Sequence, residues 1–123
     1  MKVSIARTGK WEPDIFDFEG QEDADKPFVE YRLLTGEQVE EIQSGRHHNA
    51  WAKIWRDQVT KVGNLAFEID GVEQVPGSGD LPIKKIPDLP GSYTLYYAVA
   101  HHILAESVLS SDHKKKLQST TAS

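Results

Sequence analysis

Cysteine is absent from this 123-residue chain, which excludes disulfides, zinc–thiolate centres, iron–sulfur clusters and cysteine nucleophiles in one step. A reducing compartment fits that absence. No apolar run approaches the roughly 20 residues that span a bilayer, and the opening MKVSIARTGKWEPD holds no unbroken apolar core of signal-peptide length. The expectation is a soluble, cytoplasmic protein. An excess of basic charge is lacking too: 19 acidic against 14 basic side chains give a formal net charge of -5, which argues against a general nucleic-acid or anionic-membrane binder.

Catalytic signatures are equally scarce. The stretch PGSGD, from Pro76 to Asp80, lacks the Lys-Ser/Thr end of a phosphate-binding loop and the spacing of a dinucleotide site. No G-x-S-x-G elbow sets a serine on a strained turn. The carboxylates of WEPDIFDFEGQEDAD do not follow calcium-loop spacing. In a solvated loop they also lack the differently perturbed environments that acid–base pairs need.

What is present is material for one core: 38% hydrophobic residues, with three Trp, four Phe and four Tyr. The reading is a single domain over 1–123, of α+β class, with an acidic loop at about 20–27 and a flexible tail at about 118–123. Val3 and Ile5 alternate with polar neighbours and predict a first strand over 2–7, and Phe28 to Leu33 predict another. Thr35 with Gln38 has the spacing of a capping box, opening a short helix on Val39 and Ile42 that Gly45 ends. Asn49 is placed to cap a second helix carrying Trp51, Ile54, Trp55 and Gln58 on one face. Asp70-Gly71 predicts a tight turn between hairpin arms near 65–69 and 72–75. Pro82, Pro87 and Pro90 keep the following segment from a regular helix, and a long helix begins beyond Ser92.

That last helix holds the most enzyme-like feature, in YYAVAHHILAESVLSSDHKKKL. At helical spacing Tyr93, Tyr96, Tyr97, Ala100, Ile103, Leu104 and Val108 gather on one side, which predicts the core face. His102 then lies opposite, in a solvated pair with Glu106, and His101 lies on the flank. Zinc-binding histidines on a helix stand four residues apart, whereas the residue four after His101 is Ala105. His102 and Glu106 could form a two-ligand fragment, completed by His47, His48 or His113, so a small metal-binding protein is one alternative. Ser110, Ser111 and Asp112 can cap a short terminal helix whose last turns carry Lys114 to Lys116, a solvated tail or, in another alternative, a nucleic-acid contact.

The order of these features resembles a known family. WEP, then FVEYRLLTGEQVEEI, then VTKVGNLAFEIDGVEQV, a proline-bounded segment and TLYYAVAHHILAESVLSSDHKKKL together look like the small tail-assembly chaperone-type proteins of tailed bacteriophages. The resemblance is one of layout, from about Phe28 to Leu117, and the acidic loop has no counterpart in it. It implies a non-enzymatic protein without cofactor, acting in the host cytoplasm. Such a protein binds an extended tape-measure chain while the tail tube forms, and it self-associates. It would contact neither nucleic acid nor membrane. The alternative is a structural tail or neck component retained in the virion. Trp51, Trp55, Tyr96 and Tyr97 are the contact candidates under this resemblance, and core residues under the reading from periodicity alone.

Overall fold

The computed structural model describes residues 2, 3, 5–13, 26–45 and 48–108. Gly20 to Asp25 of the acidic loop, His47, His113, the terminal basic helix and the tail lie outside them. Thr8–Trp11 (β1), Phe28–Arg32 (β2) and Val59–Gly63 (β3) make an antiparallel sheet with β2 in the centre. The first strand therefore does not run over 2–7: Val3 and Ile5 are exposed, and backbone pairing with β2 begins at Thr8, which faces Arg32. Central β2 alternates as a half-buried strand must, with Val29 and Tyr31 fully buried. On its other face Glu30 stands between Lys10 and Lys61 of the neighbouring strands, an opposite-charge row that favours this register. The ammonium groups of Lys10 and Lys61 lie 4.2 and 5.6 Å from the centre of the Phe28 ring.

One glycine on β1 is required by contact. A Cβ on Gly9 would come within 2.6 Å of the Tyr31 ring and 2.9 Å of its hydroxyl, and Tyr31 has no exposed surface into which to retreat. Gly9→Ala should cost about 1–3 kcal/mol of unfolding free energy through overpacking. A denaturant midpoint equal to that of the parent chain would show that Tyr31 has room to move.

Leaving β2, the chain meets the expected cap. The Thr35 hydroxyl accepts from the Gln38 amide at 3.2 Å, and Gln38 Oε1 accepts from the Thr35 amide at 2.9 Å. This opens Gly36–Gln43 (α1), and Gly45, at φ +72°, ends the turn that follows. Ala50–Gln58 (α2) begins differently from expectation. Asn49 holds the cap position with φ 58° and ψ 39° and makes no side-chain cap bond. It serves there as one of the few non-glycine residues that tolerate left-handed backbone.

The whole of β3, which continues directly from α2, was not predicted as a separate strand. Phe67–Ile69 (β4) and Val72–Gln74 (β5) pair as the expected hairpin, with Asp70 and Gly71 both at positive φ. A 3-10 helix, Ile83–Asp88, accommodates Pro87, and Tyr93–Val108 (α3) completes the order. The fold is thus mixed α+β: a few antiparallel strands in two small sheets, with a long C-terminal helix. Its core joins Val29 and Tyr31 of β2, Ile54 and Trp55 of α2, Ile86 of the 3-10 helix, and Val99 and Ile103 of α3.

Polar bonds lock these layers together. Trp55 Nε1 donates to the Ile83 carbonyl at 2.8 Å. The buried Gln58 amide donates to the Arg32 and Leu33 carbonyls at 2.9 and 3.2 Å, so the strand end finds the partner it needs inside the protein.

Candidate protein-contact surface

α3 is apolar around almost its whole circumference, so periodicity alone does not single out its inner face. Its buried residues are Leu95, Val99, Ala100 and Ile103. At about 100° per residue, their centre is turned by about 90° from the tyrosine-centred face the sequence suggested. Polar contacts decide the rotation. The Ser107 hydroxyl accepts from the Leu34 amide at 2.9 Å and donates to the Ile103 carbonyl at 2.6 Å. The Tyr31 hydroxyl donates to Glu106 Oε2 at 2.6 Å. Both bonds require Glu106 and Ser107 to face the sheet, which swings Tyr93 and Tyr97 outward.

The consequence is an exposed aromatic row. Tyr93 is 57% exposed, Tyr97 37% and Val108 49%, while Thr94, His101 and Ala105 are also exposed. Tyr93, Tyr97 and His101 stand four residues apart, and their rings stack at centroid separations of 5.6 and 5.9 Å. Trp51, half-buried on α2, meets Tyr97 edge-on at 5.1 Å and His101 at 5.8 Å. Between Tyr93 and Val108 the only Asp, Glu, Lys or Arg is Glu106, and it faces Tyr31. An outward helix face without formal charge, carrying aromatics fixed against one another, has the composition of an interface core.

The two histidines part company, each toward a different tryptophan. His102 is not the solvated residue expected: with the helix turned, its ring is half-buried and stacks on Trp11 of β1 at 4.1 Å, planes 3° apart. His102 Nε2 lies 3.1 Å from Glu106 Oε2. Tyr31 presents its ring edge to His102 at 6.0 Å. Burial, reinforced by the hydrogen bond to Glu106 and its negative charge, pushes the Tyr31 phenol well above its ordinary pKa of 10.0. This Trp11–His102–Glu106–Tyr31 group ties β1 and β2 to the end of α3. Among the described residues no three His, Asp or Glu side chains gather into a metal-ligand set, and no described helix is long and apolar enough to cross a membrane.

The four contact candidates from sequence separate accordingly. Trp55 is fully buried and belongs to the core. Tyr96 is half-buried and packs against that core, with its ring near-perpendicular to that of Tyr93 at a centroid separation of 5.4 Å. Trp51 and Tyr97 do reach the surface, together with Tyr93 and His101, which sequence reasoning assigned elsewhere. The repeat of aromatic rings at positions 93, 97 and 101 was the available signal. Comparison with protein-family models, with curated proteins and with solved structures gives no match for this chain.

Proposed function

We propose that this chain is a non-enzymatic binding protein that holds other proteins against the outer face of α3 and Trp51. In this reading it works in bacteriophage tail assembly, in the host cytoplasm, on an extended tape-measure chain. The observation that carries the binding role is the exposed, uncharged aromatic row of Tyr93, Tyr97 and His101 beside Trp51. The layout resemblance supplies the phage context. Physically, an amphipathic client helix would lay its apolar side along the row. Apolar burial would supply the attraction, at about 25 cal/mol per Å² removed from water.

Co-expression with a tape-measure protein tests the reading. The client should become soluble and co-elute with this chain on size exclusion. An insoluble client and no complex would defeat the proposal. Recovery of the chain from purified virions would instead favour a retained tail or neck component.

A further inference from the structure

We propose that the free edge of β4 is a docking site for an extended segment of another protein. The segment carries one Lys or Arg between two apolar residues and adds to the hairpin as an antiparallel third strand. Docking there does not depend on the outer face of α3.

The backbone of the hairpin leaves this edge unpaired. β4 and β5 form a sheet of their own, and two strands alone are only marginally stable in water. With Asp70-Gly71 as a two-residue turn, Ile69 and Val72 make the first hydrogen-bonded pair. The next pair, Glu68 with Glu73, is then of the non-bonded kind, so the Glu68 amide and carbonyl point away from β5. No described backbone group bonds to them. They border a cleft of about 350 Å³, lined by residues 67–70 on one side and 89–92 on the other. Consecutive residues along one wall mark a strand edge, because a strand face would contribute every second residue. No residue of β5 lines the cleft.

Side chains specify what fits. Phe67, Ile69 and Leu89 are half-buried and pack against the core, whereas the charged residues of the lining, Glu68 and Asp70, are both carboxylates. Glu68 is exposed and stands directly across from Glu73, a like-charge pair that works against the hairpin. No Lys or Arg occurs between residues 65 and 75 to offset it. The larger sheet meets the same need internally, since its Glu30 lies between Lys10 and Lys61. An added strand sets one residue beside Glu68, exchanging both backbone bonds with it, and a Lys or Arg there supplies the missing opposite charge. Its two neighbours point to the other face, with Phe67 and Ile69, where apolar side chains fit. In this chain, Lys114-Lys115-Lys116 lacks the alternation. Met1-Lys2-Val3 has it, but Lys2 and Val3 are exposed, so the occupant comes from another protein.

Proton–nitrogen correlation spectra of the full chain, titrated with the blocked peptide Thr-Val-Lys-Val-Thr, provide the test. The peptide should shift the amides of residues 67–70 and slow hydrogen exchange at Glu68. Thr-Val-Glu-Val-Thr should bind roughly fivefold more weakly. Glu68→Lys, which removes the repulsion from Glu73 and so keeps the fold, should lose that preference. Methylating the backbone nitrogen of the peptide's Lys removes the donor to the Glu68 carbonyl and should weaken binding roughly fivefold. Equal binding of the Lys and Glu peptides would overturn the inference, as would undiminished binding of the methylated one or no shift in residues 67–70 at millimolar peptide. Shifts of the same amides on dilution without peptide would assign the edge to a second copy and overturn it as well.

Discussion

Trp55→Ala should lower the unfolding free energy by about 3–5 kcal/mol, the range for truncating a large buried aromatic. Trp55 has 0% exposure and is one of the largest fully buried side chains, on a helix that packs against α3 and the 3-10 helix. Truncation leaves a cavity that the surrounding sheet and helices cannot collapse to fill. It also strips the part-buried Ile83 carbonyl of its indole donor, which adds the net worth of one hydrogen bond, about 0.5–1.5 kcal/mol. Domains of this size hold only about 5–15 kcal/mol in all, so the variant would lie near the edge of folding. Trp55→Phe should keep most of the packing and lose the bond. Urea denaturation followed by circular dichroism measures both, and a loss below about 1 kcal/mol for the alanine variant would contradict a core centred on this ring.

Alkaline instability is the second large effect. The Tyr31 phenol stays neutral in the folded chain well above 10.0, because burial and the Glu106 carboxylate both disfavour the phenolate. In the unfolded chain it ionises near its ordinary value. The folded state therefore binds one more proton than the unfolded state above pH 10, so this stabilisation is fully present below about pH 10 and is lost as pH rises. From this one group the slope is about -1.4 kcal/mol per pH unit. Tyr31→Phe should flatten the decline above pH 10, while lowering neutral stability because Glu106 loses its hydroxyl donor. Parallel stability curves for the two proteins between pH 9 and 11 would show that Tyr31 ionises alike in both states.

Local chemistry was the legible part of the fold. Thr35 and Gln38, Asp70 and Gly71, and Gly45 each act within a few residues of themselves, so a short sequence window contains their cause. The α2 face of Ile54, Trp55 and Gln58 was legible because the helix has one apolar side and one charged one, with Lys53 and Asp57 paired at 2.8 Å outside. The rotation of α3 was not. Its apolar residues surround the helix, and the deciding contacts come from Tyr31 and Leu34, more than seventy residues earlier in the chain. The placement of β1 depended likewise on pairing with β2 and not on the alternation of Val3 and Ile5.

That rotation decides which side of α3 faces solvent. A tyrosine-centred core face would have left α3 presenting His102 and Glu106 to solvent, the surface of an ordinary amphipathic helix. Holding Glu106 and Ser107 inward costs the core no unsatisfied group: among the described residues every buried side-chain nitrogen or oxygen has a partner. It leaves outside a row of rings already braced against one another, whose rotamers are largely fixed before a partner arrives. Less conformational entropy is then lost on binding, which is why rigid aromatic anchors dominate contact surfaces.

The most direct measurement of this role compares two carboxylate substitutions in the same co-expression with a tape-measure protein. Tyr97→Glu places a charge in the centre of the aromatic row, and Val72→Glu places one on the equally accessible hairpin. Both should fold. The expected result is that Val72→Glu recovers as much soluble client as the parent chain while Tyr97→Glu recovers little or none, and equal recovery with the two variants would contradict a contact surface on α3.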